Sequence, residues 1–276
     1  MDVHSYQRPD TLQAALNVLS TGGWRIAAGC TDLFPSTASK QLQGPVLDIT
    51  GIASLRGIAR DTGCVRIGAA TTWADIIRAD LPAAMNGLKL AAREVGAMQI
   101  QNRGTLVGNL CNASPAADGV PPLLTLDAEV ELQAASGNRR LPLSDFIKGP
   151  RQTALEPGEL VTAIRVPQTA LEGSGHFLKI GARTYLVISV AMTAARISVR
   201  ERIVTQAALA VGSCGPVATR LPEVEAALIG RPLDPARILD ATVAKAIKPI
   251  DDIRADAGYR HTSAAEVLRR TVEALV

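Results

Sequence analysis

Aromatic residues make up only 3% of the 276 residues, too few for the stacking platforms that hold single-stranded nucleic acid. There is no long basic run. The net charge of +3 is spread along the chain, which argues against nucleic acid as a partner. No stretch of about 18 uncharged apolar residues occurs, so no membrane crossing is expected. The opening MDVHSYQRPD is polar and lacks an apolar core, so no secretory signal is expected. The four cysteines, Cys30, Cys64, Cys111 and Cys214, lie far apart with no CxxC. That spacing suits neither zinc nor an iron–sulfur cluster, and no metal site is expected. Disulfides stay open on sequence alone, although reduced thiols in a cytoplasmic protein are the better expectation. No GxGxxG follows a strand, which leaves out a Rossmann cofactor site. No internal repeat is present.

What is present is an ordinary globular composition, 47% apolar and 20% charged, long enough for one large or two to three modest domains. The slightly positive mean hydropathy fits either a buried partner interface or simple richness in Ala and Leu. Two stretches stand out. Residues 104–122, GTLVGNLCNASPAADGVPP, gather glycine, asparagine and proline ahead of the apolar LLTLDAEVEL. Gly and Pro weaken both helix and strand, so this run is expected to be an irregular loop. Residues 27–33, AAGCTDL, form a shorter loop after a strand. Glycines let a backbone approach a ligand, and turns can aim successive N–H groups at an anion. Gly104, Gly108, Asn109 and Ser114 are candidates for such a cradle, with Thr105 and Asn112 adding side-chain donors. Asp118 is a ribose acceptor or a turn cap. Gly29, Thr31 and Asp32 play similar parts in the first loop. The residues alone lead to an anionic cofactor site between two loops, set against tight connections with no ligand.

Around these loops the pattern predicts an α+β chain. Asp10 and Thr11 cap a helix ended by Gly22 and Gly23, and strands follow at Arg25–Ala28 and Val46–Ile49. Further strands are expected at Leu55–Arg60 and Val65–Ala69 around a turn at Asp61–Gly63. Thr72 caps a helix through Arg78, and Pro82 opens another to about Val95. Strands are expected at Ala128–Ala134 and Leu160–Val166, the latter ended by Pro167. The small, polar residues 168–175 mark a domain boundary. Strands at His176–Ile180, Val187–Val199 and Val204–Val211 then precede helices at Pro222–Ile229, Pro235–Ala246 and Ser263–Leu275.

Both loops resemble one family. AAGCTDLFP is similar to its AGGTDLLP motif, and residues 104–118 are similar to its GTIGGNLCNASPAAD motif. PPLLTLDAEVEL, LVTAIRVP, FLKIGAR and ADAGYRHTSAAEVLRR extend the likeness along the chain. The family is that of the FAD-binding (medium) subunits of molybdenum hydroxylases, of the xanthine dehydrogenase and carbon monoxide dehydrogenase type. The resemblance implies a two-subdomain FAD-binding domain of the vanillyl-alcohol-oxidase (PCMH) type, residues 1–55 and 56–170, followed by a C-terminal α/β domain at 175–276. It implies that Ala28, Gly29, Cys30, Thr31, Asp32 and Leu33 line the FAD pyrophosphate, together with Thr105, Gly108, Asn109, Asn112, Ser114 and Asp118. Lys179 aligns with a family lysine close to the flavin ring, and Val161 with an apolar contact. The alternative for Lys179 is a solvated strand lysine. The implied role is to carry electrons from 2Fe–2S clusters on a small subunit, fed by molybdopterin on a large subunit, to NAD, oxygen or another acceptor. No catalytic base is expected on this chain.

Three departures stand out. Cys30 and Val107 occupy positions where the motifs often have glycine, so their Cβ atoms are expected to crowd the pyrophosphate or to require a negative φ. No cysteine-rich insert is present. Two other readings compete: a structural subunit that binds flavin weakly, and a free-standing FAD oxidase. The oxidase needs a base or a covalent anchor. Of His4, His176 and His261, the first and last read as surface residues, and His176 opens a strand near Lys179.

Overall fold

Thr11 sets the first helix: its hydroxyl accepts the Ala14 amide at 3.3 Å, and Ala15, Leu16 and Leu19 fall on one buried face. The computed structural model describes residues 5–38, 42–184 and 186–276. The first unit contains β1 (Tyr6–Gln7), α1 (Leu12–Leu19), β2 (Arg25–Ala27) and β3 (Val46–Asp48). Gly22 and Gly23, both at φ +77°, turn the chain from α1 into β2. The three strands form a parallel sheet in the order β1–β3–β2, and β2 delivers the chain to residues 28–33.

The second unit begins with the hairpin β4 (Ile58–Asp61) and β5 (Cys64–Gly68). The strand expected from Leu55 starts later, because residues 53–55 form a 3₁₀ turn that buries Leu55. Thr72 and Asp75 make a reciprocal capping box at the start of α2 (Trp73–Arg78). Four helices follow: α3 (Asn86–Glu94), α4 (Met98–Gln101), α5 (Leu106–Asn112) and α6 (Val120–Thr125). Next come β6 (Glu129–Ala134), β7 (Gly137–Pro142), α7 (Leu143–Phe146), the ribbon β8 (Ile147–Gly149) and β9 (Gln152–Thr153), and β10 (Leu160–Pro167). The antiparallel sheet runs β4–β5–β10–β6–β7, with β10 buried along nearly its whole length at the centre. Its Pro167 still pairs with Cys64, as the last residue of the strand.

The expectation of an irregular loop at 104–122 is overturned, since most of that run is helical. Thr105 caps α5 by accepting the Gly108 amide at 3.0 Å, and Ala113 ends it at φ +46°. Pro121 and Pro122 lie in the first turn of α6, where no intrahelical N–H donor is required. Composition counted Gly and Pro as breakers, but both prolines stand where a helix starts and Gly108 sits in the first turn of α5. One continuous core joins the first two units, including Leu16, Leu47, Trp73, Leu106 and Ile164.

The third unit contains β11 (Ser174–Ile180), β12 (Ala191–Arg200), β13 (Ile203–Gly212), β14 (Thr219–Arg220), α8 (Pro222–Leu228), α9 (Asp240–Ala246) and α10 (Ala257–Glu273). Its antiparallel sheet follows strand order. β12 is buried over its first eight residues because it is covered on both faces. Ala191, Ala195 and Ile197 join the core under α8–α10, while Met192 and Ala194 meet Ala91 of α3. The strand expected from Val187 begins only at Ala191, and the helix expected over Pro235–Ala246 is a short 3₁₀ turn followed by α9.

Candidate cofactor site

A cleft of about 550 Å³ opens between residues 28–33 and α5, within the range of small-molecule and cofactor pockets. Two glycines bring its walls together. A Cβ on Gly29 would stand 2.1 Å from the Arg103 carbonyl oxygen, and one on Gly104 would stand 3.2 Å from Thr31 Oγ1. The loop therefore rests directly on the segment that leads into α5. Within the loop, carbonyls are used and amides are spare. The Cys30 and Asp32 oxygens accept the Phe34 and Ser36 amides at 3.5 and 3.0 Å. The amides of residues 29–33 have no acceptor among the described residues. Successive unpaired N–H groups around a turn form an anion-binding concavity, and a backbone donor needs a partner once covered.

Across the cleft, α5 is fixed by its cap. The Leu106 amide donates to the Thr71 oxygen at 3.2 Å, and the Gly108 and Asn109 amides go to Thr105. Val107 N–H is left without an acceptor among the described residues, and Val107 lines the cleft. Gly108 is the open point of this wall. A Cβ there would meet only Thr105 Oγ1, at 2.8 Å, with no other atom within 4 Å. At the far end of α5, Arg151 clamps Asn112, donating through Nη1 to both the side-chain oxygen and, at 3.1 Å, the main-chain oxygen. Asn109 Oδ1 accepts the Gly119 amide at 3.3 Å, which ties α5 to α6.

The structure brings together most of the residues singled out in the sequence. Ala28, Gly29, Cys30, Thr31, Asp32 and Leu33 line one wall. Thr105, Gly108, Asn109 and Asn112 line the other, and Val161 of β10 lies at the base. Ser114, Asp118 and Lys179 do not line it. Ser114 Oγ accepts the Ala116 amide at 3.2 Å. Asp118 Oδ2 accepts from Lys179 Nζ at 2.7 Å, and Oδ1 from the Ser189 hydroxyl at 2.6 Å. The lysine side chain is 5% exposed, so the solvated alternative is overturned. Burial pushes the Asp118 carboxyl above its usual range, against the pull of Lys179 and Ser189. Sequence reasoning passed over Ile49, Trp73, Leu155 and Leu160, which also line the cleft. Ile49 could have been found from its place just past the carboxyl end of β3, where parallel sheets open their crevices.

Cys30 does not turn to negative φ: it holds φ +61°. Its short side chain, whose thiol burial pushes above the usual range, adds bulk to the glycine-type turn. Val107 tucks into the core at 5% exposure. Two carboxylates line the cleft, Asp32 and Glu159. Glu159 is turned to Arg139 at 2.6 Å, which holds its carboxyl below the ordinary range. No histidine among the described residues lines the cleft. His176 keeps Nδ1 buried without a partner in β11, and burial pulls its pKa down. His261 is half-buried on α10, and His4 lies outside the described residues.

A turn of free amides facing a capped, glycine-opened helix has the chemistry of a phosphate-bearing cofactor's site. The comparisons make this specific. Residues 2–169 match the family described as FAD binding domain in molybdopterin dehydrogenase, and residues 176–275 match the CO dehydrogenase flavoprotein C-terminal domain. The chain belongs to this family of FAD-binding molybdenum hydroxylase subunits, and it is an oxidoreductase subunit with FAD as its cofactor. It is 34% identical to the glyceraldehyde dehydrogenase medium chain of Sulfolobus acidocaldarius, covering 93% of this chain and 92% of that one. It is 31% identical to the nicotine 6-hydroxylase medium subunit of Paenarthrobacter nicotinovorans, covering 97% and 95%. A structure of carbon monoxide dehydrogenase from Hydrogenophaga pseudoflava, lacking the Mo-pyranopterin moiety of its cofactor, superposes with a TM-score of 0.91 at 26% identity, covering 99% and 97%. The free amides and the opening at Gly108 fit the pyrophosphate of FAD. Among the described residues, no helix is long and apolar enough to cross a membrane.

Proposed function

We propose that this chain is the electron-relay subunit of a molybdenum hydroxylase. It would take electrons from 2Fe–2S clusters on a small partner subunit, themselves fed by molybdopterin on a large one, and deliver them to NAD, oxygen or another acceptor. The observation that carries the reading is a cleft with spare amides for a pyrophosphate and, among the described residues, no histidine to act on a substrate. Bound FAD supplies the redox chemistry. The chain's own residues do the holding. The amides of 29–33 and of Val107 are the donors for the pyrophosphate, and Gly108 leaves it room. Ile49, Leu160 and Val161 supply an apolar base that excludes water. The unpaired state of all four thiols supports a reducing, cytoplasmic setting.

The test has two stages. The purified chain should show flavin absorbance near ~450 nm, or acquire it on adding FAD, and release FAD on denaturation. Mixed with its molybdenum and iron–sulfur partners, it should restore substrate-dependent reduction of an acceptor. A colourless chain that takes up FAD neither alone nor with partners would point instead to a structural subunit. Turnover of a substrate by the chain alone would point to an oxidase.

A further inference from the structure

Two residues in the left-handed region meet at the end of α5, and neither is glycine. Ala113 closes α5 at φ +46°, and Arg151 stands at φ +60° in the turn between β8 and β9. The Arg151 amide donates to the Ala113 carbonyl at 2.8 Å. Such conformations persist where the surroundings hold them, and they gather at ligand clamps. Here they aim one side chain. The Arg151 guanidinium reaches the end of α5, where Nη1 donates to the Asn112 main-chain oxygen at 3.1 Å and to Asn112 Oδ1. Nη1 carries two N–H groups, so one serves each oxygen. Arg151 is exposed and does not line the cleft, whereas Asn112 does.

The pair settles which end of the Asn112 amide the cleft meets. A free asparagine side chain can show a ligand either its oxygen or its NH2. A guanidinium only donates, so it takes the oxygen and leaves NH2 as the open end. Asn112 Nδ2 has no acceptor among the described residues. The bond to Oδ1 is charge-assisted, roughly twice as strong as a neutral one, and it fixes that orientation.

We propose that Arg151 is a positioning residue for the cofactor and acts through Asn112. It holds the amide with Nδ2 turned into the cleft, as a hydrogen-bond donor to an oxygen of FAD. The proposal rests on the reading of the cleft as the FAD site.

Two measurements on the full chain test it: thermal melts without FAD, which read the clamp alone, and titration with FAD. Arg151→Met should melt below the parent and bind FAD about tenfold more weakly, the size of one hydrogen bond. Arg151→Lys keeps a cationic donor and should restore affinity to within about threefold of the parent. Asn112→Ala should also weaken FAD about tenfold, and adding Arg151→Met to it should weaken FAD no further, because the arginine then has no amide to aim. Asn112→Asp keeps an acceptor for Arg151 but replaces Nδ2 with an oxygen. It should melt no lower than the parent and yet bind FAD at least about a hundredfold more weakly. Additive losses in the double variant would overturn the proposal, since the arginine would then act without Asn112. So would parent affinity in Asn112→Asp, or no recovery in Arg151→Lys. If Arg151→Met does not fold, Asn112→Asp decides. A parent-like melt for Arg151→Met would show that the clamp does not hold in solution and would sink the proposal whether or not FAD binds. A parent chain that shows the clamp but takes up no FAD would instead overturn the flavin reading, and the proposal with it.

Discussion

Cys30 and Gly108 carry opposite backbone demands. Cys30 sits at φ +61°, where an L side chain is strained by about 1 kcal/mol and glycine is not. Cys30→Gly should therefore raise the thermal midpoint slightly, by less than about 1 kcal/mol in stability once the freer unfolded chain is counted, and should keep FAD. Gly108 presents its missing side chain to the cleft, so Gly108→Val should weaken FAD binding by at least about a hundredfold while circular dichroism stays that of the parent. Thermal melts read the stability change, and titration of the purified variants with FAD reads binding in both. The glycine motif was legible in the sequence as a place for close approach, but what approaches was not. Gly29 lies against the Arg103 carbonyl, a contact between segments distant along the chain that no local pattern announces. The partnership of Asp118 with Lys179 was hidden for the same reason, since it crosses from one unit to the next.

The element that most misled composition is α5 with its continuation into α6. Gly, Asn and Pro were read as loop formers, whereas Thr105, Ala113 and the two prolines mark helix ends. Thr105→Ala removes the cap on the Gly108 amide and should cost about 1 kcal/mol in denaturant unfolding. It should also loosen FAD, because α5 forms one wall of the cleft. The amphipathic α1 was legible from its helical period, and the long strands β10, β12 and β13 from runs dominated by apolar and β-branched residues. β7 was not: it is an edge strand of GNRRLP, mostly exposed, and its sequence carries no apolar face.

Across the whole molecule, carboxylates held by arginines set the acid limit. Arg139 holds Glu159 below the ordinary range, and Arg254 does the same for Asp252. Burial pushes Glu131 up, but Arg66, Thr162 and Arg165 outweigh it and leave it lowered. Depressed folded values mean that the unfolded chain binds more protons below the ordinary carboxylate range. Stability from these groups is thus present above about pH 4 and is lost as pH falls through the lowered values. Asp118 is raised and runs the other way: its contribution is present at low pH and is lost as pH rises through the raised value. With more groups lowered than raised, denaturant midpoints should fall as pH drops from about 5 towards 3. A midpoint that rose across this window would show that the arginine pairs do not hold in solution.

All six residues of α6 are buried, although the helix belongs to the second unit and the strands β12 and β13 pack against it from the third. The two family-matched segments are therefore not separable parts. A polypeptide ending near residue 172 would leave one side of Val120–Thr125 bare, and the remainder would lose the surface that covers Met192 and Ala194. Such halves, made separately, should collect in the insoluble fraction, and made together they should rescue one another. Any shuffling of these modules between relatives would then have to move the helix along with the sheet that shelters it.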